Sequence, residues 1–265
     1  QELDEEQVRI NLFGGFRAER GGHVMVDELW KRKKASVLAA RLVLAEGSFV
    51  PRDVLAGELW PGLAPERAKS NLYTTLSTLR GALGQRQMGV NYLVTQGEGV
   101  AINVEYISSD IMVFNALTRQ VLLRRNGASA PQLIELCLKA EQVYVGPLYV
   151  PDRNTPRFFV NMRRVLQAKF VDCMMRGVEL AIDEENTGAA IWMVEAALRY
   201  EPRREDVVRA AMRVYDLDGR RREVEELFMR HGVYLREHGG GLPEPETRAL
   251  YERIMQRKRR HGSVS

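Results

Sequence analysis

Residues 65–83, Pro-Glu-Arg-Ala-Lys-Ser-Asn-Leu-Tyr-Thr-Thr-Leu-Ser-Thr-Leu-Arg-Gly-Ala-Leu, constrain this chain more than any other stretch. Pro65 and Glu66 suit the first turn of a helix. Ala68, Leu72, Leu76, Leu79 and Leu83 follow at helical spacing and form one apolar stripe. The opposite side holds Arg67, Ser70, Thr74 and Ser77, with Lys69, Tyr73 and Arg80 on one flank and Asn71 and Thr78 on the other. After Glu66 this surface has no carboxylate. A solvated helix ordinarily mixes both signs of charge, whereas a helix lying in the major groove offers hydroxyls, amides and Arg to bases and phosphates. Taken alone, such a face is more often plain surface, so its neighbours decide.

The chain has 265 residues, 45% hydrophobic and 28% charged, which is globular and long enough for one large domain or two ordinary ones. The net charge of +4 is compatible with nucleic acid without demanding it. No apolar run is long enough to span a bilayer. Residues 1–7 are acidic and are not a signal peptide. The chain lacks a starting Met and is expected to be an excised or processed piece of a longer protein. Cys137 and Cys173 read as reduced core thiols of a cytoplasmic protein. The four histidines share no ligand spacing, so neither a metal site nor a cofactor is expected. No Gly-x4-Gly-Lys-Ser/Thr motif, Ser/His/Asp set or paired-carboxylate motif occurs, and no catalytic residue is assigned.

In chain order, Val8, Ile10 and Leu12 alternate with polar residues, and turns at Gly14-Gly15 and Gly21-Gly22 predict a small antiparallel sheet. A basic cluster, Trp30-Lys31-Arg32-Lys33-Lys34, opens a helix over Ala35–Glu46. Cations stand at the unfavourable end of that helix, which suggests a partner rather than stability. A second helix, Arg52–Trp60, turns Val54, Leu55 and Leu59 inward, with Trp60 as a further candidate. The helix of residues 65–83 is the third. A hairpin follows, with Val90, Tyr92 and Val94, a turn over Thr95–Gly99, then Val100, Ile102 and Val104. Strands, three helices and a hairpin make a winged helix-turn-helix whose third helix reads the major groove.

The remainder reads as helices. Asp110 is the expected cap of a helix carrying Met112, Val113, Leu117, Val121 and Leu122, broken at Asn126-Gly127. A helix over Pro131–Tyr144 and a rigid loop, Gly146–Asp152, come next. Phe158 to Ile182 is a long helix with Phe158, Met162, Val165, Leu166, Phe170, Cys173 and Leu180 on its core face. Helices over 187–200, 204–217 and 220–236, and a last one after Pro243, suit a tetratricopeptide-like stack. Met174, Met175, Met193, Met212 and Met229 read as core fillers. The tail Arg257-Lys258-Arg259-Arg260 is a solvated helix end or, less commonly, a phosphate anchor. The expected fold is therefore mainly α with a small β component. A winged-helix domain, 8–107, precedes an all-α tetratricopeptide-like domain, 108–258.

Two groups of segments resemble the Streptomyces antibiotic regulatory proteins, transcriptional activators of actinobacteria. Leu55–Trp60, Ser77–Gly84 and the Leu-Val-Thr-x-Gly-x-Gly run at 93–99 are similar to the winged helix of response regulators. Glu201–Glu205, Asp218–Glu223 and Leu242–Tyr251 are similar to the bacterial transcriptional activator domain. The resemblance implies an activator that binds tandem repeats in double-stranded DNA as a side-by-side homodimer. It also implies that the loop Pro61–Pro65 faces RNA polymerase, and no membrane is involved. The residues expected at DNA are Arg67, Lys69, Ser70, Asn71, Tyr73, Thr74, Ser77 and Arg80, with base edges falling to Ser70, Tyr73, Thr74 and Ser77. This chain has Thr78 where the family usually has Arg, and Gln96, Glu98, Val100 and Ala101 where its wing is usually basic or aromatic. Glu98 would repel phosphate, so either binding leans on dimerisation or the wing stands clear of DNA. The alternative is a protein-interaction or ligand-sensing module whose winged helix binds DNA weakly or not at all.

Overall fold

In the computed structural model, residues 5–32, 34–123, 127–151, 156–239 and 241–261 are described, with side chains to residue 256. Gln1–Asp4, Lys33, Asn126, Asp152, Gly240 and the side chains of the basic tail, on which some of the expectations above fall, lie outside the described residues. The described chain divides into two compact units. One draws on Gln1–Ala116 and Val143–Gln167, the other on Leu117–Gln142 and Ala168–Ser265.

In the first unit β1 (Val8–Asn11), β2 (Arg17–Arg20) and β3 (His23–Val24) form the expected antiparallel sheet. After a 3-10 turn at Glu28–Lys31 come α1 (Ala35–Val43), β4 (Val50–Pro51), α2 (Arg52–Leu59) and α3 (Pro65–Ala82). A short α4 (Gln85–Met88) leads to the hairpin β5 (Leu93–Gln96) and β6 (Gly99–Ile102). Two strands go beyond the sequence reading. β4 joins the hairpin as its third strand, and β7 (Ile107–Ser108) pairs in parallel with β1.

The α3 stripe is buried as its spacing requires: Ala68, Leu72, Leu76, Leu79 and Leu83 are all enclosed, and α3 packs against α1, α2 and the 3-10 turn. Thr75 is also buried, and its hydroxyl donates to the Asn71 carbonyl at 2.8 Å, which satisfies it. Arg41 of α1 holds Glu58 of α2 through two hydrogen bonds, Nε at 2.5 Å and Nη2 at 3.3 Å. Arg20 of β2 donates to the Leu83 carbonyl at the end of α3, placing a cation where the helix dipole favours one.

The second unit contains α6 (Ala130–Val143) up to Gln142, the later part of α7 (Arg157–Asp183), and α8 (Thr187–Tyr200), α9 (Glu205–Leu217), α10 (Arg221–Glu237) and α11 (Pro245–His261). The end of α5 (Asp110–Leu122) also belongs to it. Two of its turns are closed by local caps. After α9, Gly219 takes φ 75°, its amide bonds Asp216 O at 3.1 Å, and the Arg220 amide reaches Tyr215 O at 2.8 Å. After α7, Glu185 holds the same left-handed position. Asn186 then caps α8, its Oδ1 accepting from Ala189 N at 3.1 Å. Gly177 of α7 is a point of close approach: a Cβ there would stand 2.3 Å from Met193 Sδ and 3.0 Å from Cys137 Sγ. Motif segments of the resemblance also meet. The Glu205 carboxylate accepts from the Thr247 hydroxyl and the Glu244 amide, and stands 3.2 Å from His231 Nε2. Burial opposes ionisation of Glu205, yet those contacts hold its carboxyl below the ordinary value.

Several expected details are corrected. Val54 is exposed, because the core face of α2 is Leu55, Ala56 and Leu59. On α5 the buried residues are Ile111, Phe114, Thr118 and Val121, and Val113 faces out. On α7 Phe159 rather than Phe158 is fully buried, and Val165 is exposed. Met229 is exposed and fills no core. Thr95 and Gln96 are paired strand residues, since Gln96 registers with Gly99 and leaves only Gly97-Glu98 as the turn. Asp110 is the first residue of α5 and not its cap. Ser109 Oγ accepts from Ile111 N at 3.0 Å, while the Asp110 carboxylate accepts from the amides of Leu12 and Phe13 at 2.8–3.0 Å. Burial raises the Asp110 carboxyl, against the pull of the Phe13, Leu12 and Ser109 hydrogen bonds.

Asp110 therefore ties the end of β1 to the start of α5. Asp110→Ala strands two amides in residues that are buried, at about 2–4 kcal/mol. Asp110→Asn, which keeps one acceptor oxygen, is expected to lose about half as much. Chemical denaturation of the two variants checks this.

Candidate nucleic-acid interface

The outward face of α3 follows from its inward one. With the Leu stripe buried, Arg67, Lys69, Ser70, Asn71, Tyr73, Thr74 and Ser77 all stand exposed on one helix. The eighth expected residue, Arg80, is half-buried. Burial, with the Arg52 guanidinium nearby, holds its pKa below the ordinary value. The hydroxyls are partly committed. Thr74 Oγ1 donates to Ser70 O at 3.1 Å and Thr78 Oγ1 to Thr74 O at 3.0 Å, so both remain available mainly as acceptors. Ser70 and Ser77 donate in no such bond among the described contacts, and the Tyr73 ring is half in solvent.

Two cations belong to this surface that the periodicity of α3 does not reveal. Arg52, at the start of α2, donates from Nη1 to Gly97 O at 2.9 Å and stands 3.7 Å from the Glu98 carboxylate. Its own amide donates to Glu98 O at 3.0 Å. Arg52 thus fixes the hairpin turn to α2 and sets a positive charge beside Glu98. The signal in the sequence was a cation at a helix N-terminus, where the dipole disfavours it. Lys34 donates to the Leu59 carbonyl at the end of α2, and its ammonium lies 5.6 Å from the centre of the Trp60 ring. Lys34 and Trp60, together with Asn71, Thr74 and Thr75, line a cavity of about 350 Å³.

Within the basic cluster before α1, Lys34 supports the C-terminus of α2, and Lys31 forms an exposed pair with Glu28 at 2.9 Å. Among the described residues no three His, Cys, Asp or Glu side chains gather as a metal site, and no helix is long and apolar enough to cross a membrane. Cys137 and Cys173 are buried and unlinked, with their sulfurs 4.0 Å apart.

The arrangement is a winged helix, whose third helix carries no carboxylate after Glu66, followed in the chain by stacked helices. The bacterial transcriptional activator domain matches residues 109–255, more than half of the chain. The chain belongs to that family of transcription regulators. The family is a regulatory class and not an enzyme class. Among solved structures, Mycobacterium tuberculosis EmbR in complex with a low-affinity phosphopeptide superposes over 95% of this chain with a TM-score of 0.71 and 22% sequence identity. The chain spans 65% of the EmbR chain. No curated protein matches in sequence.

Removing the Arg52 side chain deletes one hydrogen bond to the hairpin turn, about 1 kcal/mol. Arg52→Ala is expected to speed amide exchange at Gly97 to Gly99 by about fivefold, leaving Leu93 and Val94 unchanged. Hydrogen exchange followed by nuclear magnetic resonance reads it.

Proposed function

We propose that the chain is a DNA-binding transcription activator in which α3 lies in the major groove. The observation that carries this reading is the exposed face of α3: after Glu66 it presents seven polar or aromatic side chains, none acidic, in the third helix of a winged helix. Residues 8–107 act as the DNA-binding domain and 108–258 as the activator domain. Arg67 and Lys69, near the start of α3, and Arg80, near its end, meet phosphate or guanine. Ser70, Asn71, Tyr73, Thr74 and Ser77, between them, meet base edges and the backbone.

The charge of Glu98 no longer argues against a wing near DNA, because Arg52 stands beside it. Two copies side by side on tandem repeats would double the few phosphate contacts one copy makes. The loop Pro61–Pro65 is the surface offered to RNA polymerase, and Leu63 at its centre is exposed. A cytoplasmic location fits this role and the two unlinked thiols.

Selection of bound genomic fragments by the purified chain, followed by sequencing, tests the reading. Absence of any salt-dependent binding at low salt would sink it and leave the interaction-module reading. Arg67→Ala and Thr74→Ala are each expected to weaken specific binding by about 1–3 kcal/mol, with circular dichroism unchanged because both side chains are exposed. Lys69→Ala is expected to lower the slope of log K against log salt by about one for all sequences. Leu63→Asp should leave DNA affinity intact and reduce transcription in a reconstituted assay.

A further inference from the structure

The second unit contains a groove of about 550 Å³ between α7 and α9 that the DNA reading does not use. Its floor is apolar. Met175, Val178 and Ile182 come from successive turns of α7 and Ala210 from α9. Its walls are charged, and the partners of those charges decide what it can hold. Arg204 donates to Asp172 at 3.0 Å and to Asp206 at 2.8 Å. Arg176 donates to Glu179 at 2.7 Å. These two arginines engage all three carboxylates that line the groove. Arg209 turns to Glu244 outside it, at 2.6 Å.

Arg213, one turn further along α9, is exposed and has no carboxylate partner among the described residues. The groove thus offers an apolar floor, no free carboxylate and one guanidinium without a counterion. A cationic ligand would have to displace an arginine from a carboxylate. An anion meets a planar fork of donors suited to two parallel hydrogen bonds with a carboxylate. The volume lies in the range of sites for small molecules, roughly 300–1,000 Å³.

We propose that this groove binds a small organic carboxylate, its apolar body on Val178 and Ala210 and its carboxylate on Arg213. The site would give the helical unit a ligand to sense, and its occupancy does not depend on the DNA-binding reading.

Calorimetric titration of the purified chain with octanoate, octanol and octylamine tests it without DNA. Octanoate is expected to bind saturably, at least about tenfold tighter than octanol, and octylamine not at all. Arg213→Glu should weaken octanoate at least about tenfold and leave octanol unchanged, with the circular dichroism spectrum preserved. Ala210→Leu, which fills the floor, should weaken both. The proposal is overturned if octanoate shows no saturable binding up to millimolar concentration, binds no tighter than octanol, or is unaffected by Arg213→Glu. It is equally overturned if hexaglutamate binds with dependence on Arg213 while octanoate does not, which would make the groove a peptide site.

Discussion

Burial of the Leu stripe of α3 is the constraint on which the rest of the first unit depends. Leu72, Leu76 and Leu79 are essentially removed from water, and each is worth about 1.5–3 kcal/mol relative to exposure. A helix so held cannot rotate about its axis, because a turn of one residue would bury Lys69, Tyr73 and Arg80, or Asn71 on the other flank, and expose a Leu. The outward face is therefore determined by the inward one. Arg20 adds a second restraint at the far end, where its guanidinium bonds the Leu83 carbonyl and lies 5.5 Å from the centre of the Tyr92 ring. The Tyr92 hydroxyl in turn donates to Glu6 O at 2.7 Å. One arginine thus connects the opening sheet, the end of α3 and the chain entering the hairpin.

Polar side chains in this unit mostly do structural work before any is left for a partner. Asp110 accepts from the amides that close β1, Lys34 donates to the carbonyl that ends α2, and Arg52 donates to the carbonyl of the hairpin turn. Each solves the same problem, a backbone group left over where an element stops.

Long elements were legible because their periodicity is long. Five apolar positions over residues 68–83 define a face without ambiguity, and the helices of the second unit are read the same way. β4 and β7 were not legible, since two residues carry no alternation and each exists only through a partner distant in sequence. Where apolar residues are adjacent, as at Val54-Leu55, Met112-Val113 and Phe158-Phe159, the pattern leaves open which one faces inward. The neighbours brought by the fold decide it. For the candidate interface, the residues of α3 were readable from spacing. Arg52 and Lys34 were not, because their positions follow from tertiary contacts with Gly97 and Leu59.

Charge at the wing depends on neighbours that only the fold supplies. Glu98 taken alone is an anion at the tip of a hairpin. In the fold it stands 3.7 Å from Arg52 and is mostly exposed, so the pair contributes little to stability. Its effect is on the local field instead. Burial, and after it the nearby Arg52 guanidinium, make Arg80 less basic, so two guanidiniums share one region, and among the described residues the carboxylate beside Arg52 is that of Glu98. Such crowding is unfavourable in the free protein and is relieved when an anion arrives. A phosphate near the root of the wing would therefore meet a net positive site, although the residues of the wing itself are neutral or acidic.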